Sequence, residues 1–468
     1  MENQRTSSSL ELFASLERTA GRPLRTQLEE QLRDAIRSGR LVQGAQLPSS
    51  RALARDLGVT RGLVVECYSQ LQAEGYLATR AGSATTVAGS AVSNPDREPP
   101  PSVRAPLVDF RPGVPDLAAF PRRDWATALR ELIRTAPDRA LGYSDPRGTV
   151  ELRAALAAYL GRVRGVQADP ERVAICSGFA QARNLIARTL RDRGARRVAL
   201  EDPGQPESRH TLERAGLQPV ALPVDDDGAQ TDALIQSDPD AVFLTPAHQY
   251  PSGAVLGPER RRTLLRWARR RGAVIVEDDY DAEFRYDREP IGSLQGLAPD
   301  LVIYCGSVSK ALAPALRIGW LVCPTDLADA IAEAKRAEDL GSPTLEQLAL
   351  AKLIDSGRFD RHLRRVRTRY RHRRDALTHA LGQHVPHLKL TGIAAGLHAV
   401  LPLPAEIDEQ DLIDAAAARG VALHGIGACR LDEANDEAAL VLGYGALTES
   451  AIELGISQIA DLLTEPTR

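Results

Sequence analysis

Lysine is scarce in this chain. Only four of its 59 basic residues are lysines (Lys310, Lys335, Lys352 and Lys389), and the rest are arginines. Lys310 stands in GSVSKALAPALRIGW (306–320), after an apolar run, with Ser307 and Ser309 just before it and Arg317 further on. These types suit one chemistry. A lysine amine attacks carbonyl carbon, and a guanidinium with hydroxyls holds a phosphate dianion. Upstream, AVIVEDDYDAEFRY (273–286) places carboxylates and then Tyr280 at the end of another apolar run. In CSGFAQA (176–182) a strand gives way to a helix, so the backbone amides of Phe179 and Ala180 can cradle phosphate. The competing readings are an exposed surface lysine and a merely acidic loop.

A second constellation lies near the N-terminus. Leu24, Leu28, Leu32 and Ile36 keep the rhythm of one helix face. GRLVQGAQLP closes that helix, and Ser49 or Ser50 can cap a short second one that stops at Gly58. Thr60 caps a third, which stops at Gly75, and two β-rich flanks then enclose RAGSA (80–84) as a hairpin turn. Three helices and a two-stranded wing match a winged helix-turn-helix. A recognition helix enters the major groove N-terminus first. Arg51, at the start of one helix, and Thr60 and Arg61, at the start of the next, would then meet phosphates and base edges. Solvated surface arginines are the alternative.

The elements around these residues divide the chain. Residues 88–108, AGSAVSNPDREPPPSVRAPLV, hold five prolines and three serines and read as an extended linker. Before it lies a domain of residues 1–87, after it an effector region of 109–468. In that region strands are expected at 173–176, 197–201, 219–224, 241–246, 273–278, 301–307 and 318–323, with helices between several of them. Such alternation implies a mostly parallel sheet covered by helices. The large α/β part is placed at about 140–330 and a smaller α+β part, with a long Arg-rich helix, at about 331–468.

Composition narrows the class. Net charge is −3, so the whole chain argues neither for nor against nucleic acid. Residues 1–87 carry 11 basic and 9 acidic residues, so non-specific DNA affinity should be weak and a dimer needed. Five cysteines without CxxC spacing exclude a disulfide scaffold and a zinc ribbon, and fit a reducing cytoplasm. A polar start and the lack of long apolar runs predict neither a signal peptide nor a membrane helix. No metal site is expected.

The N-terminal string LPSSRALARDLGVTRGLVVECYSQLQAEGYLATRAGSATTV closely resembles the GntR family. The resemblance implies DNA contacts from Arg51 and Arg61, and a wing that Gly82 lets approach the backbone. Leu63 stands where Thr or Ser is frequent, which removes one polar DNA contact. GSVSKALAPALRIGW resembles the pyridoxal-phosphate site of fold-type I aminotransferases. That resemblance implies a Schiff base at Lys310 and a phosphate held by Arg317 with Ser307 or Ser309. It also implies a ring nitrogen paired with Asp278, with Asp279 the competing choice, and a ring oxygen bonded by Tyr280. TPAHQYPSG (245–253) is similar to the aminotransferase NPTG turn, with Tyr250 in the Asn place after His248 and Gln249. YSDPRGTVELRAAL is similar to the segment whose tyrosine, here Tyr143, reaches a partner subunit's phosphate.

The order of these parts resembles the MocR/GabR family of bacterial transcriptional regulators over essentially the whole chain. It implies a head-to-tail, domain-swapped homodimer on operator DNA that senses a ligand through pyridoxal phosphate. The departures bear on which ligand. Val441 occupies the place of the arginine that clamps a substrate carboxylate, Gln205 that of a frequent tyrosine, and Glu207 that of an arginine in GABA-responsive members. Arg209 and Arg430 are the candidates to substitute. The expectation is a regulator, similar to the PdxR-like subgroup, that senses pyridoxal phosphate itself and controls vitamin B6 synthesis. A regulator sensing an amino acid or amine, a working aminotransferase, and a module that has lost the cofactor are the competing readings.

Overall fold

The computed structural model describes residues 16, 21–79, 84–88, 106–286, 291–431 and 437–464. They fall into two compact units, Met1–Arg104 and Ala105–Arg468. Among the described residues no helix is long and apolar enough to cross a membrane.

In the first unit α1 (Leu24–Arg37), α2 (Ser50–Asp56) and α3 (Arg61–Ala73) precede a ribbon of β1 (Leu77–Ala78) and β2 (Thr86–Val87), paired antiparallel. Caps set the helix starts. The Ser49 hydroxyl accepts from Ala52 N at 3.2 Å and that of Thr60 from Leu63 N at 3.4 Å, satisfying amides that have no partner within the helix. The expected α1 face supplies Leu28, Leu32 and Ile36 to a core shared with Leu53, Val64, Leu71 and Val87. Leu63 packs against this core, so its apolar side chain has a packing role where a polar one would face outward.

The second unit opens with β3 (Val108–Asp109), α4 (Arg122–Thr135) and α5 (Val150–Arg164). Its sheet has eight strands. In chain order they are β4 (Val173–Cys176), β5 (Arg197–Asp202), β6 (Gln218–Asp225), β7 (Gly228–Ala229), β8 (Ala241–Leu244), β9 (Val274–Asp279), β10 (Val302–Ser307) and β11 (Gly319–Val322). Across the sheet the order is β4-β11-β10-β9-β8-β5-β6-β7. The run from β10 to β6 is parallel, while β11 is antiparallel to both β10 and β4. Helices α6 (Phe179–Asp192), α7 (Pro206–Arg214), α8 (Ala233–Ser237) and α9 (Pro258–Arg271) lie between strands in sequence. Leu185 and Ile186 of α6 pack on one face of the sheet with Val276, and Leu264 and Trp267 of α9 on the other with Ile275.

The rest of the chain is α10 (Thr325–Asp339), α11 (Thr344–Asp355), the Arg-rich α12 (Arg358–His384), β12 (His398–Pro402), α13 (Glu409–Ala418), β13 (Val421–Ala422), β14 (Ala439–Gly443) and α14 (Glu449–Ile459). Here the structure shifts two expected boundaries. Residues 107–108, read as the end of the linker, are tied down: Leu107 N and Val108 N donate to Gly420 O, and β3 pairs parallel with β13. The segment after them belongs with the C-terminal part. Phe110, Trp125 and Leu132 share one core with Leu350, Leu377 and Ile456. Elements from both ends of the unit thus pack together, in a core that also holds Ile175 and Trp320 of the sheet, which no local pattern announces.

Period two decides what β9 presents. Asp278 follows Val276 to the α6 face, and Glu277 and Asp279 follow Ile275 to the other. Asp279 accepts from Arg164 Nε at 2.7 Å and Tyr304 Oη at 2.5 Å, and both members of the ion pair are buried. Glu277 accepts from the amides of Leu294 and Gln295, both at 2.9 Å. We expect Arg164→Met to cost about 3–5 kcal/mol in urea unfolding, because it leaves a buried carboxylate without its counter-charge. Arg162→Met, which removes an exposed pair with Asp360, should cost less than about 1 kcal/mol.

Candidate functional site

The C-terminal ends of β4 and β10 meet at an anion-ready corner. Gly178, at φ 78°, turns β4 into α6, whose first amides belong to Phe179 and Ala180. The positive φ of Gly178 favours glycine, and a Cβ there would lie 2.8 Å from Arg317 Nη2 and displace the guanidinium. Arg317 itself is left-handed, at φ 50°, and donates to Ser177 O at 2.5 Å. The Ser307 hydroxyl accepts from Ser309 N at 3.4 Å as the chain leaves β10 toward Lys310. The first amides of α6 and the Arg317 guanidinium thus lie at one corner, with Ser307 and Ser309 where the chain leaves β10.

Lys310 Nζ donates to Gly113 O at 2.5 Å. Burial lowers its pKa, while the carboxylates of Asp281, Asp278 and Glu207 pull it back up. Asp278 is buried, and desolvation pushes its carboxyl up to about 8, reinforced by Asp279 and opposed by Arg183 and Lys310. Gln205 Nε2 reaches Asp278 Oδ2 at 3.3 Å. Arg183 stacks on the Phe179 ring, 5.6 Å from its centroid, and donates to Thr211 and Ser208. Tyr280 lies 3.0 Å from His248 Nδ1 and stands perpendicular to Tyr250, with ring centroids 6.2 Å apart. Asp279 is turned away with Arg164, so of the two candidates Asp278 alone faces this site.

Beside Asp278 a cavity is lined by Phe179, Glu201, Gln205, Tyr250, Arg209 and Arg430, among others. Glu201 accepts from the Thr245 hydroxyl at 2.6 Å, and burial raises its carboxyl to about 7. Val441 does not reach the cavity with a charge: it is buried in an apolar cluster with Val400, Ile426 and Ala439. Arg209 pairs with Glu213 at 3.0 Å. Arg430 donates to Glu437 O, and its buried Nε has no hydrogen-bond partner among the described residues. Tyr143 is 92% exposed, so its ring is no part of the site in its own chain.

In the first unit Arg51, Thr60 and Arg61 are all exposed at the starts of α2 and α3, and Arg61 Nε approaches Ser50 Oγ at 3.5 Å. Gly82 lies outside the described residues.

Sequence reasoning missed Gly113, Arg183, Glu201 and the pairing of His248 with Asp281. Arg183 stands one helical turn after Phe179, so periodicity alone carries it to the same corner. Gly113 is 197 residues from Lys310, and no local signal joins them.

Residues 106–453 match the family model of class I and II aminotransferases, and residues 24–87 that of bacterial regulatory proteins of the gntR family. The chain is 36% identical to the HTH-type pyridoxine biosynthesis transcriptional regulator PdxR of Corynebacterium glutamicum, over 94% of this chain and 96% of that protein. It is 34% identical to the probable rhizopine catabolism regulatory protein MocR of Rhizobium meliloti, over 95% and 94%. Among solved structures it is similar to the Pyrococcus horikoshii kynurenine aminotransferase in complex with PMP, at TM-score 0.71 and 27% identity, covering 78% of this chain and 92% of that one. For LysN, the alpha-aminoadipate aminotransferase of Thermus thermophilus, the values are 0.70, 30%, 76% and 92%.

The buried acids fix a pH response. Asp278 titrates near 4 when unfolded and at about 8 in the fold. Between those values the folded chain holds a proton that the unfolded chain lacks, so stability falls as pH rises. Glu201 and Glu277, both raised to about 7, act in the same direction. The thermal midpoint of the ligand-free protein should therefore decline from about pH 5 to about pH 8, and Asp278→Asn should flatten that decline. An unchanged slope in the variant would refute the assignment.

Proposed function

The chain belongs to the MocR/GabR family of transcriptional regulators, and on that premise we propose that it senses pyridoxal 5′-phosphate and controls vitamin B6 synthesis genes. One observation carries this reading. The residues fit for the cofactor face one another, while the position for a substrate-clamping arginine is Val441 in an apolar cluster.

The fit rests on the geometry above. Arg317, the first amides of α6 and the hydroxyls of Ser307 and Ser309 would grip the phosphate. Asp278, costly to ionise alone, would gain a counter-charge from a protonated ring nitrogen. Tyr280 would donate to the ring oxygen, Tyr250 would lie beside it, and Lys310 would hold the cofactor covalently through its amine. When bound, pyridoxal phosphate supplies an aldehyde for a lysine and a ring that withdraws electrons. A partner's copy of the exposed Tyr143 would complete the phosphate site in a homodimer. Two copies of Arg51, Thr60, Arg61 and Gly82 would then grip two half-sites of operator DNA, with avidity set by the linker. All five cysteines are free and buried, which supports a reducing cytoplasm.

Ligand control requires that the ligand favour one DNA-binding state over another. In this reading pyridoxal phosphate does so itself. Arg430 favours a second reading: it lines the cavity beside Asp278, and its guanidinium is suited to an amino-acid carboxylate. Turnover as an aminotransferase is the weaker alternative, since transamination needs an oriented substrate.

Operator complexes titrated with pyridoxal phosphate should change in affinity or footprint, and common amino acids, GABA included, should add little. A shift of both the cofactor spectrum and the footprint by one amino acid at micromolar concentration would favour the second reading. Lys310→Ala should abolish the visible absorbance band. Arg61→Ala should weaken specific DNA binding by about 1–3 kcal/mol while leaving that band intact.

A further inference from the structure

Behind Tyr280 lies a closed polar group that the cofactor reading does not use. His248 Nδ1 is 3.0 Å from Asp281 Oδ2, 3.1 Å from Asp281 Oδ1 and 3.0 Å from Tyr280 Oη. His248 and Asp281 are 3% and 1% exposed. Gly396, left-handed at φ 70°, seals them in, because a Cβ there would strike both the His248 ring and the Asp281 carboxylate. His398 packs on the His248 ring at 5.3 Å, with its Nε2 3.1 Å from Pro251 O.

Two groups share one nitrogen, and hydrogen counting decides their roles. An ionised carboxylate has no hydrogen to give. The Nδ1 beside Asp281 must therefore carry the hydrogen and donate it. Tyr280 Oη then meets an N–H, so it can only accept from that side. Its own hydrogen is left to point away from His248. A neutral Nδ1 without hydrogen would do the reverse and draw the Tyr280 hydrogen to itself.

We propose that the His248–Asp281 pair is a positioning device that keeps Tyr280 a hydrogen-bond donor toward the ring oxygen of the cofactor. This rests on the reading of Tyr280 given above. His248 comes from the turn after β8 and Asp281 from the end of β9, so the pair also ties together the segments that carry Tyr250 and Asp278. The other titratable groups that face the pair and Tyr280 are Asp278, Asp279, Glu201, Glu283, Tyr250, Tyr286, Tyr444, Lys310 and His398. Burial holds His398 down at about 3, so it stays neutral across the working range. Burial also raises Asp281, which His248 and Lys310 counteract. Acid that protonates Asp281 would reverse the hydrogen-bond direction.

The test uses the full-length protein loaded with pyridoxal phosphate. It reads the pH midpoint of the visible absorbance band, with cofactor affinity from quenching of tryptophan fluorescence. A donor to the ring oxygen stabilises its anionic form, so losing the donor moves the midpoint up. Tyr280→Phe should raise it by about one pH unit, the size expected of one hydrogen bond to a charged group. Asp281→Asn removes the charge that obliges Nδ1 to carry the hydrogen, so the hydrogen can pass to Nε2 and the one lone pair of Nδ1 is open to the Tyr280 hydroxyl. It should reproduce the Tyr280→Phe midpoint, and the double variant should add nothing further. His248→Ala should shift the midpoint as well, because Tyr280 is then free to donate to Asp281. His248→Asn, which restores an N–H near the Nδ1 position, should bring it back. An Asp281→Asn midpoint equal to that of the unmodified protein, beside a shifted Tyr280→Phe, overturns the proposal. So does full additivity in the double variant. If Asp281→Asn does not fold, the two His248 variants decide, and failure of His248→Asn to restore the midpoint overturns the proposal. An unshifted Tyr280→Phe would instead overturn the reading of Tyr280 beneath it.

Discussion

The buried pair of Arg164 and Asp279 is the constraint on which the site's geometry depends. Three consecutive acids end β9, and a slip of one residue would exchange the faces they occupy. Arg164, on the last turn of α5, can satisfy only a carboxylate on the side away from α6. Its 2.7 Å bond to Asp279 therefore fixes the register. It sends Asp278 toward Lys310 and Arg183. Removing one member of such a buried pair leaves the other charge uncompensated, so the pair resists any rearrangement that separates them.

Register then sets the electrostatics. Asp278, Asp281 and Glu201 stand close together in a region that disfavours charge. Arg183 and Lys310 are the cations that act on Asp278, with Arg317 nearby against Ser177 and Gly178. Such a concentration of raised carboxyls beside a lysine of lowered pKa is the electrostatic pattern that functional sites share. A molecule with a cationic ring atom at one end and a dianion at the other would meet Asp278 and Arg317 together.

Much of this was legible in the sequence. The strands of the large sheet appear as short apolar runs because they are buried on both faces. Ser49 and Thr60 announce the helix starts through their hydroxyls. The motif around Lys310 is local, so its parts could be read together. What remained hidden depends on partners far apart in sequence. The choice between Asp278 and Asp279 needed Arg164, 115 residues away. The pairing of His248 with Asp281 spans 33 residues and depends on a turn whose path the sequence does not state. Leu63 reads as a lost polar contact until its packing against the first unit's core is seen.

The pairing of β3 with β13 has a structural consequence. The first described residues of the second unit form an edge strand of the C-terminal layer, hydrogen-bonded to Gly420 and Ala422 and not to the large sheet. The backbone of residues 107–110 is therefore held by the C-terminal layer, but its side chains are shared: Val108 and Phe110 lie in one apolar core with Ile175 and Trp320 of the large sheet, so the layer and the sheet meet where the unit begins.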